Sequence, residues 1–145
     1  MRALVMSILT IALLAGCQTA DEAITTNTDP TAVTGPAASA IAGDMASRFA
    51  EQIGAATTTT IRLDESKTEY ALALEAAFKG WGYTVVSQDA AAKAGRPVEL
   101  TYSIDHLDGQ ILARLTAPSI ALARAYTPTA NGATPASPLS IMRRN

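Results

Sequence analysis

Hydrophobic and polar positions along this chain follow three rhythms, and each predicts a different element. Near the start, Leu4 to Leu14 is a short, mostly apolar run behind one basic residue, Arg2. From Ala37 the apolar positions adopt helical spacing: Ile41, Met45, Phe49 and Ile53, with Ala42 and Ala46 beside them. Ala38 or Ser39 stands near the start, and Gly54 follows the last apolar residue, where helices commonly stop. The spacing predicts a helix over 37–53. Thr57 to Leu63 is short and β-branched and predicts a half-exposed strand. Asp64 to Ser66 reads as a turn. From Lys67 to Gly80 a second helix places Tyr70, Leu74, Ala77, Phe78 and Trp81 on one face, supported by Ala71 and Leu72. Lys79 suits the negative end of the helix dipole, and Gly80 reads as its terminator. Trp81-Gly82-Tyr83 then leads into a strand at Thr84-Val85-Val86.

After a polar, alanine-rich loop over 87–96, strict alternation takes over. Val98, Leu100, Tyr102 and Ile104 point one way, and Glu99, Thr101, Ser103 and Asp105 the other, as in a strand with one buried and one wet face. Asp108-Gly109 is a hairpin signal. Its partner strand, Gln110 to Thr116, shows Ile111, Ala113 and Leu115 on one face, and Pro118 breaks it. Ile120, Leu122 and Tyr126 alternate with Ala121, Ala123 and Ala125 in a third strand, where Arg124 interrupts the apolar face and suggests an edge. Asn131-Gly132 marks another turn. Pro135, Pro138 and Arg143-Arg144 make 131–145 read as an arm rather than core. The order α-β-α-β-β-β-β predicts an α+β fold, with two helices on one face of a small, mainly antiparallel sheet.

The N-terminal run changes the picture most. It is too short for the ~20 residues that cross a bilayer as a helix, and it fits the hydrophobic region of an export signal. Leu14-Ala15-Gly16-Cys17 follows it, and Cys17 is the chain's single cysteine. A charged start, an apolar segment, small residues and a cysteine are the layout of a bacterial lipoprotein signal. Leu14, Ala15 and Gly16 would be recognised by the signal peptidase, and Cys17 would carry the lipid. A single acyl chain binds membranes marginally, and more than one anchors stably. The expectation is a signal over 1–16, a lipidated start and flexible tether over 17–36, a periplasmic domain over 37–130 and the arm over 131–145. Gln18 in place of Asp after the cysteine favours the outer membrane, with the domain facing the periplasm.

Charge and composition narrow the chemistry. There are 11 basic and 13 acidic residues, a net charge of -2, so no basic excess supports nucleic-acid binding. Aromatics make up 5 %, so the core rests on Ala, Leu, Ile and Val. Such a light core is only modestly stable alone, and a homo-oligomer or another partner would steady it. The one histidine, His106, stands beside Asp105 and Asp108 at the predicted hairpin. A metal site there would need more ligands, and carboxylates are ordinary at Asp-Gly turns. With Cys17 used as an anchor there is no Cys/His pair, and no spacing supports a hydrolase triad. Glu65, Glu69 and Glu75 lie on or near the second helix, and Glu75 with Lys79 four residues on reads as an exposed ion pair. Gly80-Trp81-Gly82 follows a helix and is no phosphate loop. Trp81 and Tyr83 read as core at the helix–strand junction. Strands over 110–128 could pair with another subunit by strand addition. No catalytic residue, metal ligand or cofactor site is expected.

Four segments together resemble the TrbH family of conjugal transfer lipoproteins: Ala40-Ile41-Ala42-Gly43-Asp44-Met45, Leu74 to Tyr83, Asp108 to Leu115, and Asn131 to Ser140. Their order and joint presence carry the resemblance, and no segment is a catalytic motif. The resemblance implies a component of a mating-pair formation apparatus, a type IV secretion system that moves plasmid DNA between cells. It implies other transfer subunits as partners and Cys17 as the one functional position carried over. The alternative is a generic periplasmic lipoprotein that binds a small ligand or envelope polymer; a lipid-anchored enzyme is weaker still.

Overall fold

The computed structural model describes residues 32–33, 35–64, 66–87 and 95–145. Two helices, α1 (Gly35–Ala50) and α2 (Glu69–Gly80), pack on one face of a seven-stranded sheet. The strands are β1 (Thr60–Leu63), β2 (Thr84–Val86), β3 (Val98–Leu107), β4 (Gln110–Ala117), β5 (Ile120–Thr129), β6 (Gly132–Pro135) and β7 (Ser140–Arg143). The sheet runs β2-β1-β3-β4-β5-β6, with β7 also on β5. β1 is parallel to both its neighbours, and the pairings among β3 to β7 are antiparallel. The expected α+β class holds.

The helix α1 buries Ala38, Ile41, Ala42, Met45, Ala46 and Phe49, the stripe that its spacing predicts. It begins at Gly35, earlier than 37, because Pro36 suits a first helical turn. Its last turn runs on past Ala50 as bonds from Gln52 and Ile53 to the Phe49 carbonyl. Thr57 and Thr58 do not join a strand. Ala56–Thr58 is a single 3-10 turn, closed by Thr58 N–H donating to the Ala55 carbonyl, and β1 starts only at Thr60.

Thr68 caps α2: its hydroxyl accepts from Ala71 N–H at 3.2 Å, so the helix starts after Lys67. The far end departs further from expectation. Gly80 is the last helical residue, and Gly82, at φ +90°, makes the left-handed turn. Gly82 N–H donates to the Lys79 carbonyl at 2.9 Å and Tyr83 N–H to the Phe78 carbonyl at 3.1 Å. This is a Schellman ending, and the Tyr83 ring meets Phe78 edge-on, 6.0 Å between centroids, as its hydrophobic closure. Tyr83 therefore enters the core, whereas Trp81 is turned out and 51 % exposed. Leu72, expected to support the buried face, is 55 % exposed. The pair β1–α2–β2 forms a parallel crossover that sits beside the antiparallel meander.

In the meander, Asp108 and Gly109 take φ +50° and +75°, as a two-residue hairpin turn requires. Ile111, Ala113 and Leu115 are buried as expected, and so are Ile120, Leu122 and Tyr126. The expected C-terminal arm carries two strands. β6 pairs Tyr126–Thr129 and β7 pairs Ile120–Ala123, so the two lie one after the other along the same edge of β5. Residues 136–139 bulge between them, opposite Arg124 and Ala125. Every residue of β7 is exposed. β4 and β5 are thus interior strands, and their edges are not free for strand addition.

Candidate functional site

The chemistry-bearing residues divide into a polar cluster, a cleft and the sheet edges. The cluster centres on Asp44, which stands half-buried beside the buried stripe of α1. Its Oδ2 accepts from Tyr126 Oη at 2.7 Å and from Arg124 Nη1 at 2.9 Å. Arg48 Nε lies 3.6 Å from Oδ1. Arg124 Nε also donates to the Ser137 carbonyl at 3.0 Å, and the Ser137 hydroxyl accepts from Ala125 N–H at 2.9 Å. One carboxylate thereby joins α1, β5 and the bulge between β6 and β7. Arg124, expected at an edge, lies in an interior strand and faces the helix, which explains why a charge occupies an apolar face. Burial, then the bond to Asp44, raises the Tyr126 phenol well above its ordinary range. These groups hold elements together, and Arg48 also pairs with Glu51 at 3.0 Å.

Other candidates stand apart. His106 is exposed on β3 opposite Ile111, and among the described residues no group of three or more metal-ligating side chains converges. Glu75 and Lys79 pair on the surface of α2 at 2.5 Å, as their spacing predicts. Glu69 accepts from Gly35 N–H and ties the start of α2 to that of α1. Tyr83 Oη donates to the Gly54 carbonyl at 3.0 Å, so both ends of this side chain serve the fold. Tyr70 is buried with its hydroxyl unpartnered among the described residues, and burial, then Tyr102, raises its titration far above the ordinary range. Cys17 and its flank Leu14, Ala15 and Gly16, along with Glu65, lie outside the described residues.

A cleft opens where β1 and β2 end under α2, lined by Leu63, Asp64, Ser66, Glu75, Val86 and Ser87 among others. Its volume is about 170 Å³, below the ~300 Å³ at which ligand pockets usually begin. No described helix is long and apolar enough to cross a membrane.

The described residues form a small α+β domain whose polar cluster fastens α1 to the sheet. The family comparison is specific: residues 19–145 match the family described as conjugal transfer protein TrbH. The chain is 62 % identical, over the full length of both proteins, to a probable conjugal transfer protein TrbH of Sinorhizobium fredii (strain NBRC 101917 / NGR234). This chain belongs to the TrbH family of conjugal transfer proteins. No solved structure matches it. The cluster around Asp44 was missed at the level of sequence; its signal was the charge at position 124 in an otherwise apolar strand face.

Proposed function

We propose that this chain is a noncatalytic, lipid-anchored tether of a conjugal transfer apparatus. Its family membership across residues 19–145 carries the assignment to transfer. The tethering part rests on Leu14-Ala15-Gly16-Cys17 behind an apolar run, read as a lipidation signal. Acyl chains on Cys17 hold one end in the outer membrane, and the segment after it spans to the folded domain. The domain faces the periplasm and docks on another transfer subunit. Because the anchor makes docking intramolecular within the envelope, weak contacts suffice at the resulting effective concentration. A small, closed domain suits this role, since docking needs surface and not a pocket.

The test is affinity purification of the full chain from detergent-solubilised envelopes of mating-competent cells. The expected result is co-recovery of other transfer subunits, lost when the envelope is prepared from cells lacking the transfer genes. Recovery of the chain alone contradicts the assignment.

A further inference from the structure

The two borders of the antiparallel sheet match each other. One is β3, whose edge is covered by β1 only over Val98–Leu100. Among the described residues, no strand pairs that edge over Thr101–Leu107, because β4 lies on the other side. The opposite border is β7, whose outer edge is likewise unpaired. The described chain has five exposed large hydrophobic residues, and three of them lie on these borders: Leu107 at 69 % on β3, and Ile141 at 44 % and Met142 at 62 % on β7. Unpaired apolar edges normally carry charges or bulges that discourage pairing.

The charges that are present are complementary. In β3 and its turn every charged residue is acidic, namely Glu99, Asp105 and Asp108, and Asp64 follows the end of the adjoining β1. Glu99 is taken up by Arg62, which leaves the aspartates. From Gly132 to Asn145 every charged residue is basic, namely Arg143 and Arg144. Strand direction agrees as well. β3 and β5 run the same way and β7 opposes both, so a β7 laid beside β3 of an equally oriented neighbour is antiparallel to it. Across the sheet Ser140–Met142 stand level with Ser103–Thr101, at the start of the open stretch, while Arg143 falls level with Leu100, which Leu63 already pairs. Arg143 turns toward the helices, where it donates to Gln52 at 2.8 Å, so the free cation is Arg144, on the sheet face that carries Asp105. A neighbour raised far enough to clear β1 sets Arg144 between Asp64 and Asp105.

We propose that this chain associates with itself head to tail, β7 of one copy adding to the Thr101–Leu107 edge of the next. The contact is heterologous, so repetition gives a ring or an open filament and not a closed two-fold dimer. Main-chain bonds supply affinity, and the charge match sets direction. The inference stands on the strand edges and is independent of the lipid anchor.

Analytical ultracentrifugation of the purified full chain in detergent tests it with two charge-reversed variants, D64K/D105K and R143E/R144E. Wild type is expected to self-associate, less so at high salt, and each variant to associate about tenfold more weakly or worse. An equimolar mixture of the variants regains association, because each then meets an opposite edge. The chain carrying all four substitutions regains it alone, which rules out misfolding as the cause of the loss. A wild-type chain that stays monomeric overturns the proposal. So does a D64K/D105K variant that associates like wild type, since β7 then pairs with something other than β3. A mixture that remains monomeric overturns it too.

Discussion

Two buried tyrosines of this chain have opposite polar circumstances, and the difference is measurable. Tyr126 donates to Asp44, whereas the hydroxyl of Tyr70 is buried without a partner among the described residues. Hydrogen bonds to a charged group are worth about 1.5–3 kcal/mol, and an unsatisfied buried hydroxyl costs about 1–3 kcal/mol. Tyr126→Phe is therefore expected to lower stability by about 2 kcal/mol, and Tyr70→Phe to leave it unchanged or raise it, in denaturant unfolding. Their pH dependence has a definite sign. Both phenols titrate above the ordinary value in the fold, so below pH ~10 they are neutral folded and unfolded and contribute no slope. Above that pH the unfolded chain ionises first, and stability falls by about 1.4 kcal/mol per pH unit for each tyrosine. Removing either phenol should make this alkaline decline shallower; an unchanged slope in Tyr126→Phe contradicts its burial. The tie between Tyr126, Arg124 and Asp44 was not legible in sequence because Asp44 stands 80 positions before Arg124. Only the anomaly at Arg124 was visible.

At the scale of elements, periodicity located the segments and failed where a helix hands over to a strand. The face Tyr70, Leu74, Phe78 extends in principle to Trp81, but only while the helix continues. Gly80 and Gly82 both look like terminators, and local spacing does not choose between them. The choice is made by Tyr83, which fills the space over Phe78 and so selects Gly82 for the left-handed turn. Gly82→Ala is expected to cost about 1 kcal/mol, since φ +90° disfavours a side chain. Gly80→Ala is helical with open space around it and should be neutral or stabilising by up to ~1 kcal/mol. Thermal unfolding of the two variants checks this, and equal effects contradict the Schellman ending. The threonine run misled for a related reason: β-branching favours extended backbone, yet Ala56–Thr58 turns to reach β1. The alternation in β3, β4 and β5, by contrast, was read directly, because one face meets the helices and the other faces away from them.

On the scale of the whole molecule, the described polar groups serve mainly to fasten the helices to the sheet. Two helices close one face, the polar cluster at Asp44 fastens α1 to β5, and the cleft beneath α2 is small. The strand addition proposed above uses the sheet's outer edges, whereas the spacing along the chain points to β4 and β5 because it leaves 131–145 as an arm. That segment pairs with β5 and moves the free edge outward, a long-range pairing that local spacing does not encode. Family membership was legible from four ordered segments, and it is borne out over residues 19–145. The proposed tether rests on Cys17. The most direct measurement is to replace Cys17→Ser at the native locus and follow membrane fractionation together with plasmid transfer frequency. The account predicts that the protein leaves the membrane fraction and that transfer falls, with both restored by a foreign lipoprotein signal. Membrane association and transfer that both remain at wild-type level would contradict it.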